Sequence, residues 1–334
     1  MRADTVKIPD TRLSRSVFVH DPPFFRSHNP LPALKPAPLS AYFALVIGAF
    51  CMGMSPLFVR FAADASVGPY GSAFWRVFLA LPFLAVWAKV EERGGPPRPT
   101  FKKPMLWAGV LFAGDLFFWH LSILKTSVAN ATFLSTTAPV WVMLVSALFL
   151  KEKIGVAALS GLALCLIGGS ALIGDTLHFN PHHWLGDVFG LITAFFFGLY
   201  FFGIKQARAL AGAGRTTFAA SAVSAACLLL VTVISGDSLI PTTVEGAVAL
   251  VAMAAISQAM GQGLLSVALG QLPTVFSALV IFMEAVAAAA LAWMVLNEPL
   301  SALQIVGGGL ILIGIFIARP KQQDPSLSPS EPSH

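Results

Sequence analysis

One stretch of the chain occurs twice, and that limits what the chain can fold into. Leu296–Ile317, LNEPLSALQIVGGGLILIGIFI, answers Leu150–Ala171, LKEKIGVAALSGLALCLIGGSA, at a shift of 146 positions. Leu150, Glu152, Gly161, Leu164, Leu166, Ile167 and Gly168 recur as Leu296, Glu298, Gly307, Leu310, Leu312, Ile313 and Gly314. Each copy is a polar break holding one Glu, then a helix-length apolar run with glycines seven residues apart. Upstream, at a shift of 145, Gly53 and Arg60 in GMSPLFVRFA answer Gly198 and Lys205 in GLYFFGIKQA. The chain is built from two copies of one unit.

Composition says where such a unit can live. Of 334 residues, 56% are hydrophobic and only 11% charged, with a mean hydropathy of +0.78. A water-soluble domain cannot hide that much apolar surface, so the chain is expected to be a polytopic membrane protein with the lipid bilayer as its main partner. The net charge of +5 does not indicate nucleic acid, because the basic residues flank apolar runs and are not gathered on one polar face. Cys51, Cys165 and Cys227 fall in three different apolar runs, with no disulfide or metal spacing, and read as packing residues.

The sequence predicts an all-α membrane protein of ten transmembrane helices, near 42–62, 70–90, 104–124, 128–150, 154–173, 186–204, 216–235, 246–268, 274–296 and 301–318. Residues 1–40 read as a disordered basic tail without a secretory signal, and 320–334 as a second tail. The repeats are expected at 41–173 and 186–319, five helices in each. Five is odd, so the second copy must lie upside down relative to the first. With the N-terminus inside, 18 of the 21 Lys and Arg residues fall on the cytoplasmic side, which predicts cytoplasmic termini. Trp107, Trp184 and Trp293 stand near span ends, as headgroup anchors do.

Several stretches carry a resemblance: SAFWRVFLALP in the second span, TSVANATFLSTTAPVWVMLVSALFLKEKI in the fourth, GDVFGLITAFFFGLY opening the second copy, and ALGQLPTVFSALVIFMEAVAAAALAWMVLNEPLSALQIVGGGLILIGI closing it. From Ala41 to Ala318 the chain resembles the EamA family of the drug/metabolite transporter superfamily. That resemblance implies two inverted five-helix repeats and a secondary-active permease for a small-molecule substrate, in a bacterial inner membrane. It favours efflux of a small polar or amphipathic metabolite, leaves uptake open, and is compatible with a homodimer. The family commonly has a Pro-containing step midway along the ninth span, matching Ala138-Pro139 in the fourth. Here the step reads Glu284-Ala285, so no proline hinge is expected there.

Ionisable groups at membrane depth are costly and point to a site. Asp115 lies roughly 16 Å and Glu284 roughly 15 Å into their helices at the helical rise, both near the midplane. One carboxylate from each repeat suits a proton-coupled site between them. A desolvated carboxylate favours its neutral form, so Glu284 reads as the proton carrier and Asp115 as a fixed charge; the alternative is two structural, permanently protonated acids. Arg76 could snorkel to the headgroups or join Asp115 and His120 in one polar cluster. His120 reads as a hydrogen-bonded packing residue ahead of a proton relay. Gln258 and Gln262, at i and i+4, and Asn130 suit either substrate hydrogen bonds or interhelical contacts.

His178 and His182 could pair on a metal only if helical, and Pro181 intervenes, so neither metal nor cofactor is expected. No GxSxG, HExxH or P-loop pattern occurs, which argues against an enzyme and leaves an ion gradient to drive uphill transport. A passive pore or membrane scaffold is the competing class. It would not need polar residues at the midplane from both repeats.

Overall fold

The computed structural model describes residues 38–93, 101–126, 128–174, 184–296 and 299–320. Their regular structure is helical throughout. Nine segments among them are long and apolar enough to cross a bilayer: Leu39–Asp64, Pro69–Glu91, Lys103–Lys125, Asn130–Leu148, Val156–Ile173, Trp184–Arg208, Ala213–Ser235, Val244–Leu269 and Thr274–Val295. Where the tenth span is expected there is a shorter apolar helix, Ala302–Ile317. Its 16 residues rise about 24 Å, less than the roughly 30 Å of a hydrocarbon core. It begins on a capping box in which Ser301 and Gln304 bond each other's backbone. The segments are numbered one to ten here, and the near side is the one where Leu39 lies.

Several segments are interrupted, for identifiable reasons. Pro56, Pro82 and Pro139 each sit in the first turn of a new helix, after breaks at Met54, at Leu79–Ala80 and at Thr137. Proline has no N–H to give and its ring crowds the preceding turn. In the fourth segment three hydroxyls bond back to the backbone just before the break. Ser135 Oγ donates to Thr132 O at 2.7 Å, Thr136 Oγ1 to Phe133 O at 2.7 Å and Thr137 Oγ1 to Leu134 O at 2.6 Å. The ninth segment has no proline and still breaks, at Ile281–Phe282. There the amides tighten to i→i−3 bonds, Ile281 N to Ala278 O at 3.0 Å and Glu284 N to Ile281 O at 2.8 Å. The missing proline therefore does not remove the break. The eighth segment widens into a π-helix over Met253–Gln262.

The inverted repeat is visible in the backbone contacts. A Cβ at Gly53 would lie 2.6 Å from Glu284 O, and one at Gly198 would lie 3.3 Å from Ala138 O. These are the same contact under the two shifts: segment one meets nine as six meets four. Segments five and ten cross antiparallel through Gly161 against Gly314 O at 2.6 Å and Gly168 against Gly307 O at 2.6 Å. The two helices use these glycines to reach each other.

Segments two and seven cap one another. Asp237, just past the end of seven, accepts from Tyr70 N at 2.7 Å and Gly71 N at 3.3 Å at the start of two. Glu91, at the end of two, accepts from Ala213 N at 2.9 Å and Gly214 N at 2.8 Å at the start of seven. Each carboxylate satisfies amides that a helix leaves open at its N-terminus. Glu92 adds an ion pair to Arg215.

Burial is distributed as lipid requires. Large apolar side chains face outward, among them Phe43, Val156, Ile234 and Phe316, while small hydroxyls are buried. Ser224 Oγ donates to Gly109 O at 2.7 Å between seven and three, and Ser122 Oγ to Gly186 O at 2.7 Å between three and six.

Candidate functional site

A cavity of about 60 Å³ lies between the two repeats. Its charged wall is Arg76 from segment two, Asp115 from three and Glu284 from nine, with Gln262 from eight. Ser55, Thr132, Ser135 and Thr193 add hydroxyls; Phe112, Trp119 and Phe197 form an aromatic face. Unbroken segments three and six supply part of the lining; the rest comes from broken segments one, two, four and nine and from the π-helical part of eight. A broken helix can leave backbone groups facing a cavity, which is tolerated in a membrane only where protein or water covers them.

Arg76 is buried and points inward, so it does not snorkel. Its Nη1 donates to Ser55 Oγ at 3.0 Å and its Nε to Gln258 Oε1 at 3.2 Å, and its guanidinium stands 5.7 Å from the Phe112 ring centre. Gln258 is held from its other end, where Nε2 donates to Ser221 Oγ at 3.0 Å. The cation is thus fixed by neutral groups. Asp115 and Glu284 act on it electrostatically, yet neither forms an ion pair with it among the described residues. Glu284 is half-buried, and its Oε1 is shielded with no hydrogen-bond partner. Tyr200 OH donates to Gln262 Oε1 at 3.1 Å, and its ring packs on Phe112 and Phe197 at centre distances of 4.9 and 5.9 Å.

With both acids ionised and Arg76 positive, the set carries one net negative charge. One proton, or one cationic group of a ligand, makes it neutral. In a low-dielectric cavity that difference is large enough to link the two events.

The structure brings Arg76, Asp115, Glu284 and Gln262 into one cavity and leaves three other candidates out of its lining. His120 is buried beside it, with Nδ1 2.6 Å from Leu116 O and Nε2 3.5 Å from Ser72 Oγ; the charge of Arg76 reaches it without a hydrogen bond between them. Gln258 braces Arg76 from behind. Asn130 sits at the far side, its Nδ2 3.4 Å from Thr126 Oγ1 and 3.5 Å from Asp187 Oδ1, joining segments four and six. His178, His182 and His183 lie outside the described residues. Sequence reasoning passed over Ser55 and Tyr200, although the 145 shift aligns them with each other.

The EamA-like transporter family model matches residues 39–173 and again 184–319, most of the chain and both repeats. The chain belongs to the EamA-like transporter family. Among relatives of this transporter, an uncharacterized transporter of Archaeoglobus fulgidus is 26% identical over 277 residues, covering 82% of this chain and 94% of that one. The pseudopaline exporter CntI of Pseudomonas aeruginosa is 29% identical over 221 residues, 66% of this chain and 76% of its own length. An uncharacterized transporter of Helicobacter pylori is 27% identical over 171 residues, a match spanning about half that protein's length (54%). A solved crystal structure superposes with a TM-score of 0.72 at 16% identity, covering 84% of this chain and 96% of that one. At that identity the likeness speaks for the fold alone. This transporter is therefore a multi-pass membrane protein whose described residues form helices and no strand.

Proposed function

We propose that the transporter is a proton-coupled secondary exporter of a small polar or amphipathic metabolite, working through the cavity between its repeats. The observation that carries this reading is Glu284: a carboxylate in the cavity wall whose Oε1 is shielded from water and has no hydrogen-bond partner. Such a group gains little by staying ionised unless a cation reaches it. Arg76, already held by Ser55 and Gln258, does not meet that need. Glu284 carries the proton, and Asp115 stays as the fixed charge that orients the substrate or Arg76. A substrate with a cationic group then competes with the proton for one site, which is what exchange requires. Similarity to the CntI exporter supports the outward direction. The reading includes ten crossings, repeats at 41–173 and 186–319, cytoplasmic termini and a bacterial inner-membrane location; the near side is then the cytoplasmic side.

The test is Glu284→Gln in reconstituted vesicles. The amide keeps size and hydrogen bonding but cannot titrate. Substrate binding and exchange should persist while accumulation driven by a pH gradient is lost. If the variant transports uphill as well as the parent, Glu284 is structural and the coupling site lies elsewhere.

A further inference from the structure

Arg60 and Lys205 are the one pair of basic residues that the repeat aligns, 145 positions apart. The fold treats them differently. Lys205 Nζ donates to Leu272 O at 2.8 Å, in the near-side corner between segments eight and nine. One turn on, Arg208 Nε donates to Ser266 O at 2.9 Å and its Nη1 to Ala211 O at 2.6 Å. Leu272 O lies just past the end of segment eight and Ser266 O in its last turn, where a helix leaves carbonyls open and favours cations. Segment six is thereby pinned to the corner joining eight and nine. Arg60, on the far side, is exposed and makes no hydrogen bond or ion pair among the described residues. The corner that repeats Leu272 is Thr126, between three and four, with Lys125 before it and Asp187 beside it at 2.9 Å from the Thr126 hydroxyl.

Most of the cavity lining is displaced in the same sense, with Phe112 and Gln262 as exceptions on the near side of the middle of their segments. Ser55, Arg76, Asp115, Trp119, Thr132 and Thr193 lie at or beyond the middle of their segments toward the far side. The near side is the one where Lys205 bridges segment six to the corner of eight and nine; the far side, where Arg60 is loose, is the one toward which most of the lining lies. In an inverted repeat the opposite state arises when the two copies exchange conformations.

We propose that Lys205 and Arg60 are alternate latches of one two-state switch. Lys205 holds the near side shut in the conformation described here. In the opposite conformation Lys205 lets go and Arg60 closes on the corner at Thr126, with the Asp187 carboxylate offsetting the charge of Lys125. The inference rests on transport by alternating access but not on which ion or substrate is moved.

The test is a distance measurement by pulsed electron resonance. Spin labels go on Leu210→Cys and Gln271→Cys, with Cys51, Cys165 and Cys227 replaced by alanine and the protein in lipid nanodiscs. Lys205→Gln should raise the ratio of long to short distances by roughly tenfold, the weight of one charge-assisted hydrogen bond. Lys205→Arg should keep the parent distribution. Adding Arg60→Gln to Lys205→Gln should reverse the shift, because the long state loses its own latch. An unchanged distribution in Lys205→Gln overturns the proposal, as does a double variant that keeps or extends the long population. No substrate or gradient is needed, so the outcome is independent of whether Glu284→Gln transports.

Discussion

Gly307, Gly308 and Gly309 are consecutive, but only the first lies in the crossing of segments five and ten. A Cβ on Gly307 would stand 2.6 Å from Gly168 O and 2.6 Å from Leu172 N. Both are backbone atoms of another helix and cannot swing aside. To bring those contacts to an ordinary distance of about 3.4 Å the helices must part by about 0.8 Å, and a gap of that size forfeits a quarter to a half of each dispersion contact along the crossing. Overpacking of this kind costs about 1–3 kcal/mol. At about 2–4 °C per kcal/mol, Gly307→Ala should lower the thermal midpoint in detergent by roughly 5 °C. At Gly308 the nearest atom is Leu172 Cδ1 at 3.8 Å, and at Gly309 nothing lies within 4 Å. Alanine at those two positions should leave the midpoint unchanged or raise it, since it favours the helix by up to about 1 kcal/mol. Gly168→Ala combined with Gly307→Ala should cost less than the two single changes together, because the helices need to part only once. Equal shifts at Gly307 and Gly309 would refute the account.

Asp115→Asn should weaken substrate binding itself, read by titration calorimetry, whereas Glu284→Gln should spare binding and abolish gradient-driven accumulation. Gln258→Ala leaves the Arg76 Nε without its acceptor, so it should reduce transport at least tenfold while lowering stability by no more than the loss of a buried hydrogen bond to a charge, about 1.5–3 kcal/mol. Reporter fusions at residue 20, in the loop 89–103 and at the C-terminus should report cytoplasm, and fusions near His182 the outside. A C-terminal fusion reporting outside would break the ten-crossing arrangement.

The sequence marks the charged part of the cavity for a physical reason. Arg76, Asp115 and Glu284 stand in apolar runs, where an ionisable group is too costly to be incidental. Ser55 sends no such signal, because a serine hydroxyl in a helix can bond its own backbone at little cost, and Tyr200 sends none because its ring fits an apolar run much as phenylalanine does. Depth can be counted from residue number, but facing cannot. His120 and Asn130 have suitable depths, yet packing turns them away from the cavity. Gln258 and Gln262 are one turn apart, and only contacts with Arg76 on one side and Tyr200 on the other separate a brace from a lining residue. The break at Ile281–Phe282 was also hidden, since no proline or glycine announces it and only i→i−3 amide bonds reveal it.

The mutual capping of segments two and seven has a bearing on how the chain is made. Tyr70 N waits for Asp237, 167 residues later, and Glu91 has its amide partner at Ala213, 122 residues on. During synthesis the second helix enters the bilayer with both ends tied only to headgroup water. Its final depth is set when the seventh helix arrives and two carboxylates are exchanged across the membrane thickness. The first copy of the repeat is therefore not a finished module that the second merely joins. A ribosome halted after residue 180 would leave a bundle whose second helix can still slide along the membrane normal.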